Sequence, residues 1–123
     1  MPLREISLSD IENIKVGHAQ DLAGITGCTV ILCEKGAPTG LDVRGGGPAS
    51  RETELLSPVA SCQGIHGILL SGGSAFGLDA AAGVMQYLEE KGIGFPVGST
   101  VVPLVCASCL FDLNIGDPGV RPG

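Results

Sequence analysis

The chain has 123 residues, 44% of them hydrophobic but only 3% aromatic and none Trp, so its core has to be assembled from Val, Ile, Leu and Ala. A balance of 13 acidic against 7 basic residues gives a net charge of −6 with no Lys/Arg cluster, which excludes nucleic acid as a partner because phosphate neutralisation needs a basic face. No apolar run approaches the roughly 20 residues of a membrane span, and MPLREISLSDIEN lacks the basic-then-apolar order of a signal peptide, so the expectation is a cytoplasmic protein without membrane contact.

This length fits one small domain at most. Residues 11–18, IENIKVGH, alternate weakly and end at a glycine, which puts His18 in an expected turn. TGCTVILCEKGA (26–37) is the clearest strand, β-branched in its middle and closed by Lys35-Gly36. LDVRGGGPASRETELL (41–56) opens as a short strand and runs into three glycines and Pro48, where regular pairing ends. SPVASCQ reads as a short turn or helix before GIHGILLSGG (64–73), an apolar run of strand length buried on both faces or nearly so.

From Ser74 to Lys91 the residues Gly77, Ala81, Val84, Met85 and Leu88 recur at spacings of three and four, the mark of one helix face. Ser74 is the expected N-cap, Asp79 sits near the positive end, and Lys91-Gly92 supplies a basic last turn and a C′ glycine. Gly83 inside this helix predicts close approach to a sheet or another helix. FPVGSTVVPLVCASCLFDL returns to β-branched, apolar character interrupted by Pro103, and NIGDPGVRPG is turn chemistry. Strand, strand, strand, helix, strand is the pattern of a mixed α/β (α+β) layer with one sheet face left to be covered from elsewhere.

The stretch SGGSAFGLDAAAG (71–83) invites three chemical readings. A P-loop needs Lys and Ser/Thr where Leu78 and Asp79 stand, and a nucleophile elbow needs glycine where Phe76 stands. What remains is a strand, a glycine turn and a helix start, able to hold a carboxylate or oxyanion or simply to allow close packing. Spacing alone favours packing. The only histidines, His18 and His66, read as structural.

Cys28, Cys33, Cys62, Cys106 and Cys109 are an odd set in a chain without an export signal, which argues against a disulfide framework. Cys106-Ala-Ser-Cys109 has C-x-x-C spacing but lies in an apolar strand pattern and lacks a second close pair, so it reads as small apolar packing and no metal site is assigned.

VRGGGPASRETELLSP, GILLSGGSAFGLDAAAGVMQYLEEKGIGF and VPLVCASCLFDL together resemble the DmpA family of L-aminopeptidase/D-esterases and β-aminopeptidases, over nearly the whole chain from IKVGHA to FDLNIG. The resemblance implies an α/β/β/α sandwich of the kind shared with ornithine acetyltransferases. It also implies a precursor that cuts itself to free a Ser whose own α-amine is the base, a group that accepts a proton near neutral pH.

Family precursors are longer than this chain, and their nucleophile follows the FDL segment. Residues 1–123 are therefore expected to be a single partial domain from the N-terminal portion of such a hydrolase, inactive alone, with no catalytic residue and no cofactor. Its expected partners are the remaining part of the same precursor, a small peptide, amide or ester substrate, and further copies in a homo-oligomer. Gly72, Gly73 and Ser74, with Val102, Pro103 and Leu104, are the candidate substrate-binding residues. Two alternatives stay open: a non-catalytic module that binds a small anion or serves assembly, and an acetyltransferase of the ornithine acetyltransferase type. As a hydrolase portion alone, the chain is expected to expose a sheet face, which predicts association or aggregation.

Overall fold

A computed structural model describes residues 1–123. The fold is α+β, with strands β1 (Lys15–Asp21), β2 (Thr26–Ala37), β3 (Ser50–Arg51) and β4 (Ile65–Ser71), helix α1 (Ala80–Glu90), then β5 (Phe95–Val97), β6 (Thr100–Val102) and β7 (Val105–Cys109). Five strands form one sheet in the order β1-β2-β4-β7-β3, and β5-β6 form a separate hairpin. Only β4 and β7 run parallel. Parallel neighbours cannot be joined by a tight turn, and α1 with the β5-β6 hairpin supplies the crossover.

Side chains alternate along a strand, so residues paired across the sheet share a face. Register puts Gly17, Val30, Leu69 and Ala107 side by side on one face, and His18, Thr29, Leu70 and Ser108 on the other. Helix α1 lies on the first face. Its Ala81, Val84 and Leu88 pack with Leu69, Val105 and Ala107 into one buried cluster, with Leu78 and Met85 at the edge. Leu69 and Leu88 are each 0% exposed, and full burial of such a side chain stabilises by about 1.5–3 kcal/mol. A Schellman motif closes the helix: Gly92 at φ 70° donates its N–H to Glu89 O at 2.8 Å, and Ile93 donates to Leu88 O at 2.9 Å.

The second, outer face carries no α-helix. Glu52 reaches it at the β7 edge, where its carbonyl receives the Cys106 thiol. Val16, Thr29, Ile31 and Ile68 stay half-buried, and Leu70 is 46% exposed. The chain exposes 8095 Å², against roughly 6,100 Å² for a folded monomer of this mass. Residues 1–7 and 41–48 are exposed throughout. No helix is long and apolar enough to cross a membrane.

Four local expectations change. His18 is not in a turn: β1 continues through Gly17 to Asp21, because pairing with β2 outweighs the weak local pattern. No strand forms at residues 41–43, and β3 is only Ser50–Arg51, held by β7. The helical stretch starts as a 3₁₀ turn over Ser74–Asp79, capped by Gly73 rather than by a Ser74 side chain. Gly83 is exposed, and a Cβ there would meet nothing within 4 Å, so it marks no close approach.

Candidate active site at the glycine turn

At the carboxyl end of β4 the chain leaves the sheet through Gly72 and Gly73 and enters the 3₁₀ turn. Gly73 has φ 92° and ψ 8°, the left-handed region where glycine carries no Cβ penalty. Ser74 follows at φ 55°, a conformation that costs a non-glycine residue about 1–2 kcal/mol. Surrounding structure has to impose such a backbone, and strain of this kind gathers at functional sites.

A set of hydrogen bonds imposes it. Gly72 donates its N–H to Gly27 O at 2.9 Å, Ser74 donates to Leu110 O at 3.0 Å, and Leu110 donates to Ser71 O at 2.9 Å. Asp112 completes the cage: Oδ1 accepts the Gly73 N–H at 2.8 Å, and Oδ2 accepts the Thr26 hydroxyl at 2.7 Å. The Thr26 hydrogen bond, followed by that from Gly73, holds the Asp112 carboxyl below the usual carboxylate range. A Cβ on Gly77 would overlap the backbone Gly72 O, so that glycine is required by contact, while one on Gly72 would displace the side-chain ends of Asp112 and Thr26 that form the cage.

The turn sits where open α/β sheets bind ligands, beyond the carboxyl ends of parallel strands. Ser74 is half-buried, and its hydroxyl has no partner within the chain. On the outer face a cleft of about 410 Å³ runs from Gly72 and Ser71 past Leu70 and Leu110 to Thr29 and His18, within the range that small-molecule sites occupy. His18 Nδ1 lies 2.8 Å from Thr29 Oγ1. A larger apolar groove opens on the helix side between α1 and β2, lined by Val30, Leu32, Gly83 and Tyr87 among others.

The six candidate substrate residues do not share a place. Gly72, Gly73 and Ser74 follow the last residue of β4, whereas Leu104 bonds to its start: Leu104 O accepts the His66 N–H at 2.8 Å, and Leu104 N–H donates to His66 Nδ1 at 3.1 Å. Six residue rises along β4, about 20 Å, separate the two sets. Pro103 is buried and Val102 exposed beside that far end. His66 is thus a satisfied structural residue, and burial pushes its pKa down.

Cys106 and Cys109 lie three apart on one strand and so face opposite sides of the sheet. Burial raises the thiol pKa of both, with Glu52 adding to the effect at Cys106. Asp112 and Leu110 were not singled out from the sequence, and His18 was read as structural. Asp112 belongs to the FDL segment and His18 to VGHA, but only the folded chain brings either to the turn.

The model of peptidase family S58 matches residues 7–119. An uncharacterized aminopeptidase of Mycobacterium tuberculosis (strain ATCC 25618 / H37Rv) is 44% identical over 124 residues, covering 94% of this chain and 36% of that protein. One of Mycobacterium leprae (strain TN) is 44% identical, with 94% and 34% covered. A 6-aminohexanoate-oligomer endohydrolase of Kocuria sp. (strain KY2) is 32% identical over 119 residues, covering 97% of this chain and 31% of the enzyme. The chain therefore spans about a third of the length of the curated relatives it matches.

Proposed function

The chain belongs to peptidase family S58, and from that premise we propose that it is the N-terminal portion of a self-processing hydrolase of the DmpA type. The complete protein cleaves amide or ester bonds, releasing N-terminal residues from small peptides, amides or esters. Its nucleophile is a Ser or Thr freed at the start of a second chain, with its own α-amine as base. Relatives named aminopeptidase and oligomer endohydrolase both support an amide-cleaving reaction.

The observation that carries this reading is the bare outer face. Half-buried aliphatic residues and a strained, caged turn at its rim suit a surface completed by the remaining part of the precursor, which brings the nucleophile to the cleft. Gly72, Gly73 and Ser74 are proposed to line or support the substrate pocket. Val102, Pro103 and Leu104 support the opposite end of β4. Alone, residues 1–123 do not turn over substrate.

Mass spectrometry of the native gene product tests this, combined with an aminoacyl p-nitroanilide assay. A longer precursor, a new Ser or Thr N-terminus and amide turnover are expected. A single unprocessed chain without turnover would refute the proposal.

A further inference from the structure

We infer that His18 is a substrate-contacting residue of this site, oriented by Thr29 to hydrogen-bond the amide group of the substrate. The assignment rests on the amide-hydrolase reading above. His18 and Thr29 are register partners across β1 and β2, which fixes both on the outer face. The 2.8 Å contact between His18 Nδ1 and Thr29 Oγ1 occupies one ring nitrogen and leaves Nε2 to a ligand. His18 lines the same cleft as Gly72, so an amide resting at the turn lies along the wall that His18 forms.

The chemistry suits an amide in either tautomer. If Thr29 donates its hydroxyl proton to Nδ1, Nε2 carries a proton and donates to the amide carbonyl. If Nδ1 donates to Oγ1, Nε2 accepts from the amide N–H. An amide offers both partners. The other histidine has no such freedom, because His66 Nδ1 already accepts the Leu104 N–H at 3.1 Å at the opposite end of β4. Thr29 acts through His18 and is a positioning residue.

The test is steady-state kinetics on the complete hydrolase, this chain with the remaining part of its precursor, using an aminoacyl p-nitroanilide. His18→Ala is expected to lower kcat/KM about 10-fold, the worth of one hydrogen bond to substrate, and His18→Gln to recover part of it. Thr29→Val is expected to lower kcat/KM by about 3-fold, and Thr29→Ser to restore it.

If His18→Ala blocks folding or processing, a second readout decides. The complete wild-type hydrolase, ¹⁵N-labelled, is titrated with N-acetylglycinamide, and the His18 Nε2 resonance should shift while that of His66 stays. Full activity in His18→Ala, or an unmoved Nε2 resonance where that variant fails to fold, overturns the inference. Ser74→Ala separates the failures: loss there with His18→Ala unaffected sinks only the His18 assignment, whereas no effect from either removes the site from this end of β4.

Discussion

The two faces of the sheet are made by the same strands yet solve different problems. On the helix face, Leu69 is 0% exposed within a cluster completed by Ala81, Val84 and Leu88. One residue later Leu70 points outward and is 46% exposed. The helix face holds the chain's buried cluster. The outer face keeps aliphatic surface uncovered and carries His18, Thr29 and the rim of the glycine turn, so it holds the features that a site and an interface require.

Substitutions at adjacent positions sharpen this contrast most. Leu69→Ala should destabilise the chain by about 2–5 kcal/mol in urea denaturation, as cavity-forming core changes do. Leu70→Ala should stay within about 0.5 kcal/mol in the same chain. Equal losses at both positions would mean that the outer face is already packed.

A smaller effect is expected at the turn. Gly77→Ala presses a methyl group into the backbone carbonyl of Gly72 and should cost about 1–3 kcal/mol, and Gly72→Ala, which meets the side-chain ends of Asp112 and Thr26, should cost less because these can shift. A thermal midpoint unchanged by either would show the cage to be slack.

Asp112→Ala removes acceptors from Gly73 and Thr26, for a loss that solvent screening holds to about 1 kcal/mol. Its pH dependence has a definite sign. The folded carboxyl titrates below the unfolded one, so its contribution is fully present above about pH 4 and is lost as pH falls through the depressed value. The stability gap between wild type and Asp112→Ala, followed by urea titration from pH 6 to pH 2, should narrow on the acid side. One change is a gain: Gly83→Ala, at an exposed helical position with open space around it, should stabilise by about 0.5–1 kcal/mol.

Patterns that depend on near neighbours were legible in the sequence. The β-branched run at 29–31 forms β2, the 3.6-residue period of Ala81, Val84 and Leu88 marks the buried helix face, and Gly92 ends that helix. Contacts between distant segments were not. Asp112 meets Gly73 across 39 residues, and β3 is two residues long, too short for any period to show. His18 was misplaced because Gly17 suggests a turn locally, while seven paired positions with β2 keep the strand going. The six candidate residues fall at two places, the caged glycine turn at one end of β4 and Val102, Pro103 and Leu104 at the other, a separation set by parallel register rather than by spacing along the chain.

The central claim is that the outer sheet face is an interface awaiting its cover. Sedimentation velocity of the 123-residue chain over a range of concentrations tests it most directly, beside the Ile68→Lys/Leu70→Lys double variant. Concentration-dependent association of the wild type, abolished in a double variant with an unchanged circular dichroism spectrum, is the predicted result. A wild-type chain that stays a compact monomer at every concentration, and behaves identically to the variant, would contradict it.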